Sequence, residues 1–175
     1  MLDTNSKALW DAMTVEAGKH NETNDCTVRC LTASTGLPYD VCHAQLKKQG
    51  RKNRKGCHWF IEGPKAAKAL GFTMRKLGRD EYRAKTMITA ERDRKLQSGS
   101  YAVLVRGHVA AMVDGKVIDW SQGRRHRIAA IYEVTKDANV PAPVPAKPKR
   151  SRMPKGSTTW QSFRKYKKAD NLELF

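Results

Sequence analysis

YAVLVRGHVAAMVDGKVIDW, residues 101–120, decides the fold class. Tyr101 to Val105 is a β-type run, and His108 to Val113 is a second. Asp114-Gly115 supplies the turn chemistry of a tight hairpin, leading into a third short strand through Val117, Ile118, Asp119 and Trp120. One more strand is expected from Arg127 to Val134, which makes an antiparallel meander.

Upstream of the meander the pattern is helical. Asn24-Asp25 offers N-cap chemistry to CTVRCLTAST, which Gly36 and Pro38 stop, so a helix is expected over 26–35. Val28, Leu31 and Thr32 give it an apolar side. A second helix is expected over Tyr39 to Lys48, ended by Gly50. A third begins at Pro64, a residue suited to the first helical turn, and runs to Gly71. A fourth opens near Thr89 and continues through Leu96. Helices followed by an antiparallel sheet are an α+β arrangement.

The composition changes after Lys136. Residues 137–148, DANVPAPVPAKP, alternate Ala and Pro and favour an extended, semi-rigid linker. Residues 149–175 form a basic tail with Trp160, Phe163 and Tyr166 interleaved. The expected organisation is a folded domain over 1–136, the linker over 137–148, and the tail over 149–175.

The chain of 175 residues carries 34 Lys and Arg against 17 Asp and Glu, a net charge of +17. Such a surface attracts polyanions, so nucleic acid, anionic lipid or an acidic protein are natural partners. The dense basic loop includes Lys47, Lys48, Arg51, Lys52, Arg54 and Lys55. Lys52, Arg54 and Lys55 are its candidate polyanion contacts, with a solvated charged loop as the plain alternative. In the tail, Lys149, Arg150, Arg152, Trp160, Arg164 and Lys165 can combine phosphate neutralisation with stacking, and the same residues could dock onto a partner protein. The end, Asn171-Leu-Glu-Leu-Phe175, resembles short peptides that bind bacterial sliding clamps; an ordinary apolar chain end reads equally well.

No apolar run reaches the roughly 18–20 residues needed to cross a bilayer, and Met1 to His20 lacks the apolar region of a signal peptide. Reduced cysteines are therefore expected at 26, 30, 42 and 57. With His43 and His58 they invite a zinc reading, but the spacing is not that of ribbons or fingers. No metal and no cofactor is expected, and Cys30 and Cys42 read as core residues.

Cys26 stands where a helix starts, and unpaired N–H groups there favour a thiolate. An imidazole can exchange its proton, and a carboxylate behind the imidazole can fix the tautomer. His108 follows Gly107, which leaves room for close approach, and opens its strand. With the turn at Asp114-Gly115, the mirror position of Asp119 is about 110, so His108 and Asp119 lie diagonally within side-chain reach.

Asn24-Asp25-Cys26-Thr-Val-Arg29, Gly36-Leu-Pro-Tyr39 and the stretch from Gly107-His108 to Asp119 resemble small papain-like cysteine-peptidase domains of tailed bacteriophages. More distantly they resemble double-glycine leader peptidases. The resemblance spans residues 20–135. It implies a cysteine-headed helix packed on an antiparallel sheet that carries the histidine and the acid, and a Cys26–His108–Asp119 triad. It implies hydrolysis of a peptide or isopeptide bond, and a setting in the host cytoplasm or the phage virion. Family members place a Gln several residues before the cysteine to bind the oxyanion. This chain has no Gln there, leaving Asn24, Asn21 or the Cys26 N–H. The competing expectation is an inactive binding protein, attached through its basic surface and tail to nucleic acid or to phage structural proteins.

Overall fold

The structure, a computed structural model, describes residues 4–138. Its elements in chain order are α1 (Thr4–Lys19), α2 (Cys26–Thr35), α3 (Tyr39–Lys48), α4 (Trp59–Ala69), β1 (Phe72–Lys76), α5 (Met87–Ala90), a 3₁₀ turn (Arg94–Leu96), β2 (Ser100–Val105), β3 (His108–Val113), β4 (Lys116–Ile118) and β5 (Ile128–Lys136). The five strands make one antiparallel sheet in the order β1-β5-β2-β3-β4. The fold class is α+β.

Both faces of the sheet are covered, which explains why β2 reads as a continuous apolar run rather than an alternating one. Ala102 and Leu104 of β2 join Val28, Leu31, Leu46 and Ala67 in the core under the helices. Tyr101, Val103 and Val105 face the other way, into a second core closed by Leu77, Tyr82, Met87 and Leu96. The segment between β1 and β2 is therefore a third layer.

Helices α2 and α3 have the expected bounds. The left-handed Gly36 (φ 70°) ends α2 by donating its N–H to the Thr32 carbonyl. The expected N-cap bond is absent: Asp25 occupies the cap position without a side-chain cap bond. Its carboxylate is instead held by Arg29 Nε at 3.0 Å and Tyr39 Oη at 2.6 Å.

Two further helical expectations need correction. The third helix starts at Trp59, and Pro64 lies inside it. Gly63 makes this possible, because a proline clashes with the Cβ of a helical residue before it and Gly63 has none. The same position is closed to larger residues by packing, since a Cβ there would lie 2.9 Å from the Trp59 ring. The expected helix from Thr89 through Leu96 is two short pieces. Thr86 and Thr89 form a capping box on α5. Asp93 then breaks the run, because its carboxylate accepts from the N–H groups of Arg83, Ala84 and Lys95.

Neither α1 nor β1 is evident in the pattern. Ser6, Met13 and Ala17 are buried along one face of α1, with Trp10 packed beside them, while exposed Leu9 and Val15 blur the stripe. In β1 only Phe72 is buried. Pairing with β5 makes it a strand, and Arg75 and Lys76 suit an edge.

β5 ends the sheet at Lys136, and the Asp137 N–H still bonds the Gly71 carbonyl. Beyond Ala138, the linker and the tail contacts at Lys149, Arg150, Arg152, Trp160, Arg164 and Lys165 lie outside the described residues. Among the described residues, no helix is long and apolar enough to cross a membrane.

Candidate active site

Cys26 is the first residue of α2 and is half-buried. His108 is the first residue of β3, reached through the two-residue turn Arg106-Gly107. Gly107 serves a different purpose from the one expected. A Cβ there would touch nothing, but its φ of 71° is one that side-chain-bearing residues rarely adopt. It aims the chain into β3; it does not make room.

Asp119 lies one residue past the end of β4, not on the strand. The β3–β4 register pairs Val113 with Lys116 and Ala111 with Ile118, so Asp119 falls opposite Ala110, two residues along from His108. Asp114 (φ 45°) and Gly115 (φ 74°) make the turn that sets this register. Asp114 is occupied by that turn, its backbone and carboxylate both bonded to Gly99.

The His108 Nε2–H donates to Asp119 Oδ1 at 2.9 Å, and the Ser121 N–H donates to the same oxygen at 2.8 Å. Asp119 is 2% exposed. With Nε2 taken, Nδ1 is the nitrogen left to face Cys26, whose thiol lines the same cavity and bears on the His108 pKa. Burial alone would lower the His108 pKa, but hydrogen bonds to Asp119 and Cys26 and their charges raise it to about 9. Trp120 stands over the ring, with centroids 5.3 Å apart, and is itself flanked by Arg124 and His126.

Helix α2 and strand β3 meet at an open cavity of about 270 Å³. Cys26 and His108 line it, with Asn24, Thr27, Trp59, Phe60 and Val109 among its walls. Asn24 is exposed beside Cys26, and its side chain makes no hydrogen bond among the described residues. The Cys26 N–H, at the start of the helix, is a second donor beside the sulfur. Two buried polar atoms of the cavity residues, Thr27 Oγ1 and Trp59 Nε1, have no hydrogen-bond partner among the described residues.

A buried ionic cluster braces the approach to Cys26, and the sequence reading overlooked it. Glu22 accepts from Arg51 through both carboxylate oxygens, at 2.8 and 3.0 Å, and from His43 Nε2 at 2.8 Å. Its Oε2 also accepts from the Arg54 N–H, and Arg51 Nη2 reaches the Asn24 carbonyl. Burial pushes the Glu22 pKa up, but these bonds outweigh it and bring the value to about 2. Arg51 is thus 3% exposed and does not belong to the polyanion-facing loop. Lys52, Arg54 and Lys55 do remain exposed. The available signals were Glu22, four positions before the cysteine, and Arg51, which follows Gly50. Nothing in their spacing pairs them.

None of the other three cysteines begins a helix. Cys30 and Cys42 are buried core residues, and burial pushes both thiols up, Cys42 to about 11. Cys57 lines the cavity, but burial and Glu62 raise it to about 12. Among the described residues no cluster of three or more His, Cys, Asp or Glu side chains could hold a metal ion.

Comparison with protein-family models, curated proteins and solved structures finds no match to this chain.

Proposed function

We propose that the chain is a papain-like cysteine peptidase or amidohydrolase of a tailed bacteriophage, working through Cys26, His108 and Asp119. The observation that carries the reading is the His108 ring, bonded through Nε2 to buried Asp119 and lining one open cavity together with Cys26, the thiol that heads a helix.

The chemistry follows from that order. The Cys26 sulfur attacks the carbonyl carbon of a peptide or isopeptide bond, and the thiol proton resides on His108. A protonated imidazole beside the sulfur supplies the positive charge that a thiolate nucleophile needs. The carbonyl oxygen becomes an oxyanion, met by the Cys26 N–H and the Asn24 side chain. As the C–N bond breaks, His108 gives its proton to the leaving amine and a thioester remains on Cys26. Water then attacks the thioester, losing a proton to His108, and the acid leaves as the thiol is restored. Asp119 keeps the ring oriented with Nε2–H toward itself and Nδ1 toward sulfur.

The test is proteolysis of a mixed peptide library, comparing the full chain with Cys26→Ala by mass spectrometry. New cleavage products present only with the Cys26 protein support the reading. The second reading, a catalytically silent protein attached to nucleic acid or a phage assembly, is favoured by the net charge of +17. It requires identical peptide profiles for the two proteins.

A further inference from the structure

We propose that the cavity takes an acidic polypeptide, with carboxylate side chains on either side of the bond placed at Cys26; this rests on the hydrolase reading above. Two segments line the cavity beside Cys26, and a third packs against His108. The loop before α4 contributes Gly56, Cys57 and His58, the β2–β3 turn contributes Gly107, and the segment after Asp119 stands over His108 through Trp120.

Each of these segments carries exposed cations close to its contribution. Arg54 and Lys55 immediately precede Gly56, and Arg106 precedes Gly107. Arg124 lies on the Trp120 ring at 5.0 Å, followed by Arg125 and Arg127. None of these six cations is ion-paired with a carboxylate among the described residues. These segments carry no carboxylate of their own: no Asp or Glu occurs in residues 41–61, 94–113 or 120–132. Glu22, Asp25 and Asp119 near the site are buried and already bonded to Arg51, Arg29 and His108.

Arg54 is also held in place. Its N–H is bonded to Glu22 at 2.8 Å and its φ is 61°, so the buried cluster fixes the loop that presents the charge. Apolar Leu104, Val105, Val109 and exposed Phe60 are among the walls of the cavity. Uncompensated charge around an apolar cleft focuses a positive potential on the position of the reacting bond. An acidic peptide fits both features, with backbone in the cleft and carboxylates at the rim.

The test uses the full chain and three fluorescent probes: a Glu-rich peptide, the same peptide with Gln at each Glu, and a single-stranded oligonucleotide. Anisotropy at low and high salt reads binding, and protection of Cys26 from iodoacetamide reads where each probe sits. The Glu peptide is expected to bind roughly tenfold or more tighter than its Gln counterpart at low salt and to protect Cys26, both effects fading with salt. Arg54→Gln with Lys55→Gln and Arg106→Gln should bring binding of the Glu peptide down toward that of its Gln counterpart. Equal binding of the two peptides overturns the proposal. So does Glu-peptide binding that leaves Cys26 unprotected, or protection by the oligonucleotide alone. Failure of the library proteolysis with these binding results intact would remove the hydrolase and leave the acidic-peptide site.

Discussion

His108 and Asp119 bond at 2.9 Å although the hairpin that carries them sets Asp119 opposite Ala110. The contact is diagonal, and it depends on Asp119 being buried and held by the Ser121 N–H. Asp119→Ala should therefore lower peptide cleavage or Cys26 alkylation by about 10²–10⁴-fold, as expected when the group fixing a catalytic imidazole is lost. Asp119→Asn tests orientation separately from charge: its amide can face His108 with oxygen, so a smaller loss than alanine is expected. Rates for the three proteins, with folding checked by circular dichroism, decide this.

The pH dependence follows from His108. Its folded-state pKa is raised from 6.5 to about 9, so protonation favours the folded protein. That stabilisation is fully present below pH 6.5 and disappears as pH rises through about 9. Cleavage should fall over the same alkaline limb, because a neutral ring has no proton for the leaving amine. Thermal melts of the native protein and His108→Gln from pH 6 to 10 should converge at the alkaline end.

Glu22 and Arg51 have almost no exposed side-chain surface, so removing one partner strands the other charge. Arg51→Ala should cost about 3–5 kcal/mol in urea unfolding. Because Arg51 also holds the Asn24 carbonyl, Cys26 reactivity should fall under conditions where the variant remains folded. The Glu22 pKa, lowered from 4.5 to about 2, gives stability that is present above pH 4.5 and lost as pH falls through about 2. Glu22→Gln should flatten that acid limb.

Gly63→Ala would place a methyl group 2.9 Å from the Trp59 ring. The expected cost is about 1–3 kcal/mol from overpacking, read in the same unfolding experiment. Trp59 lines the cavity, so the displaced ring should also change alkylation of Cys26.

What could be read from the residues differs by element, for physical reasons. The helices over 26–35 and 39–48 are bounded by Gly36, Pro38 and Gly50, strong local signals that tertiary packing does not override. The hairpin register follows from Asp114-Gly115, and with it the closeness of His108 and Asp119. By contrast, Pro64 misled because it lies inside the helix, where Gly63 before it has no Cβ for the proline ring to meet. The 89–96 run misled because the Asp93 carboxylate bonds backbone ten residues upstream, a contact with no sequence period. Arg51 looked like one more cation in a basic run. Its difference comes from Glu22, 29 residues earlier, which only the folded chain brings to it.

The central claim is that Cys26 is a nucleophile made by His108, and site-resolved alkylation tests it most directly. The full chain is treated with iodoacetamide near neutral pH, and modification of each of the four cysteines is followed by peptide mapping. Cys26 should react at least about 100-fold faster than Cys30, Cys42 and Cys57, and His108→Ala should remove most of that advantage. Comparable slow labelling of all four cysteines, or a Cys26 rate indifferent to His108, would contradict the account.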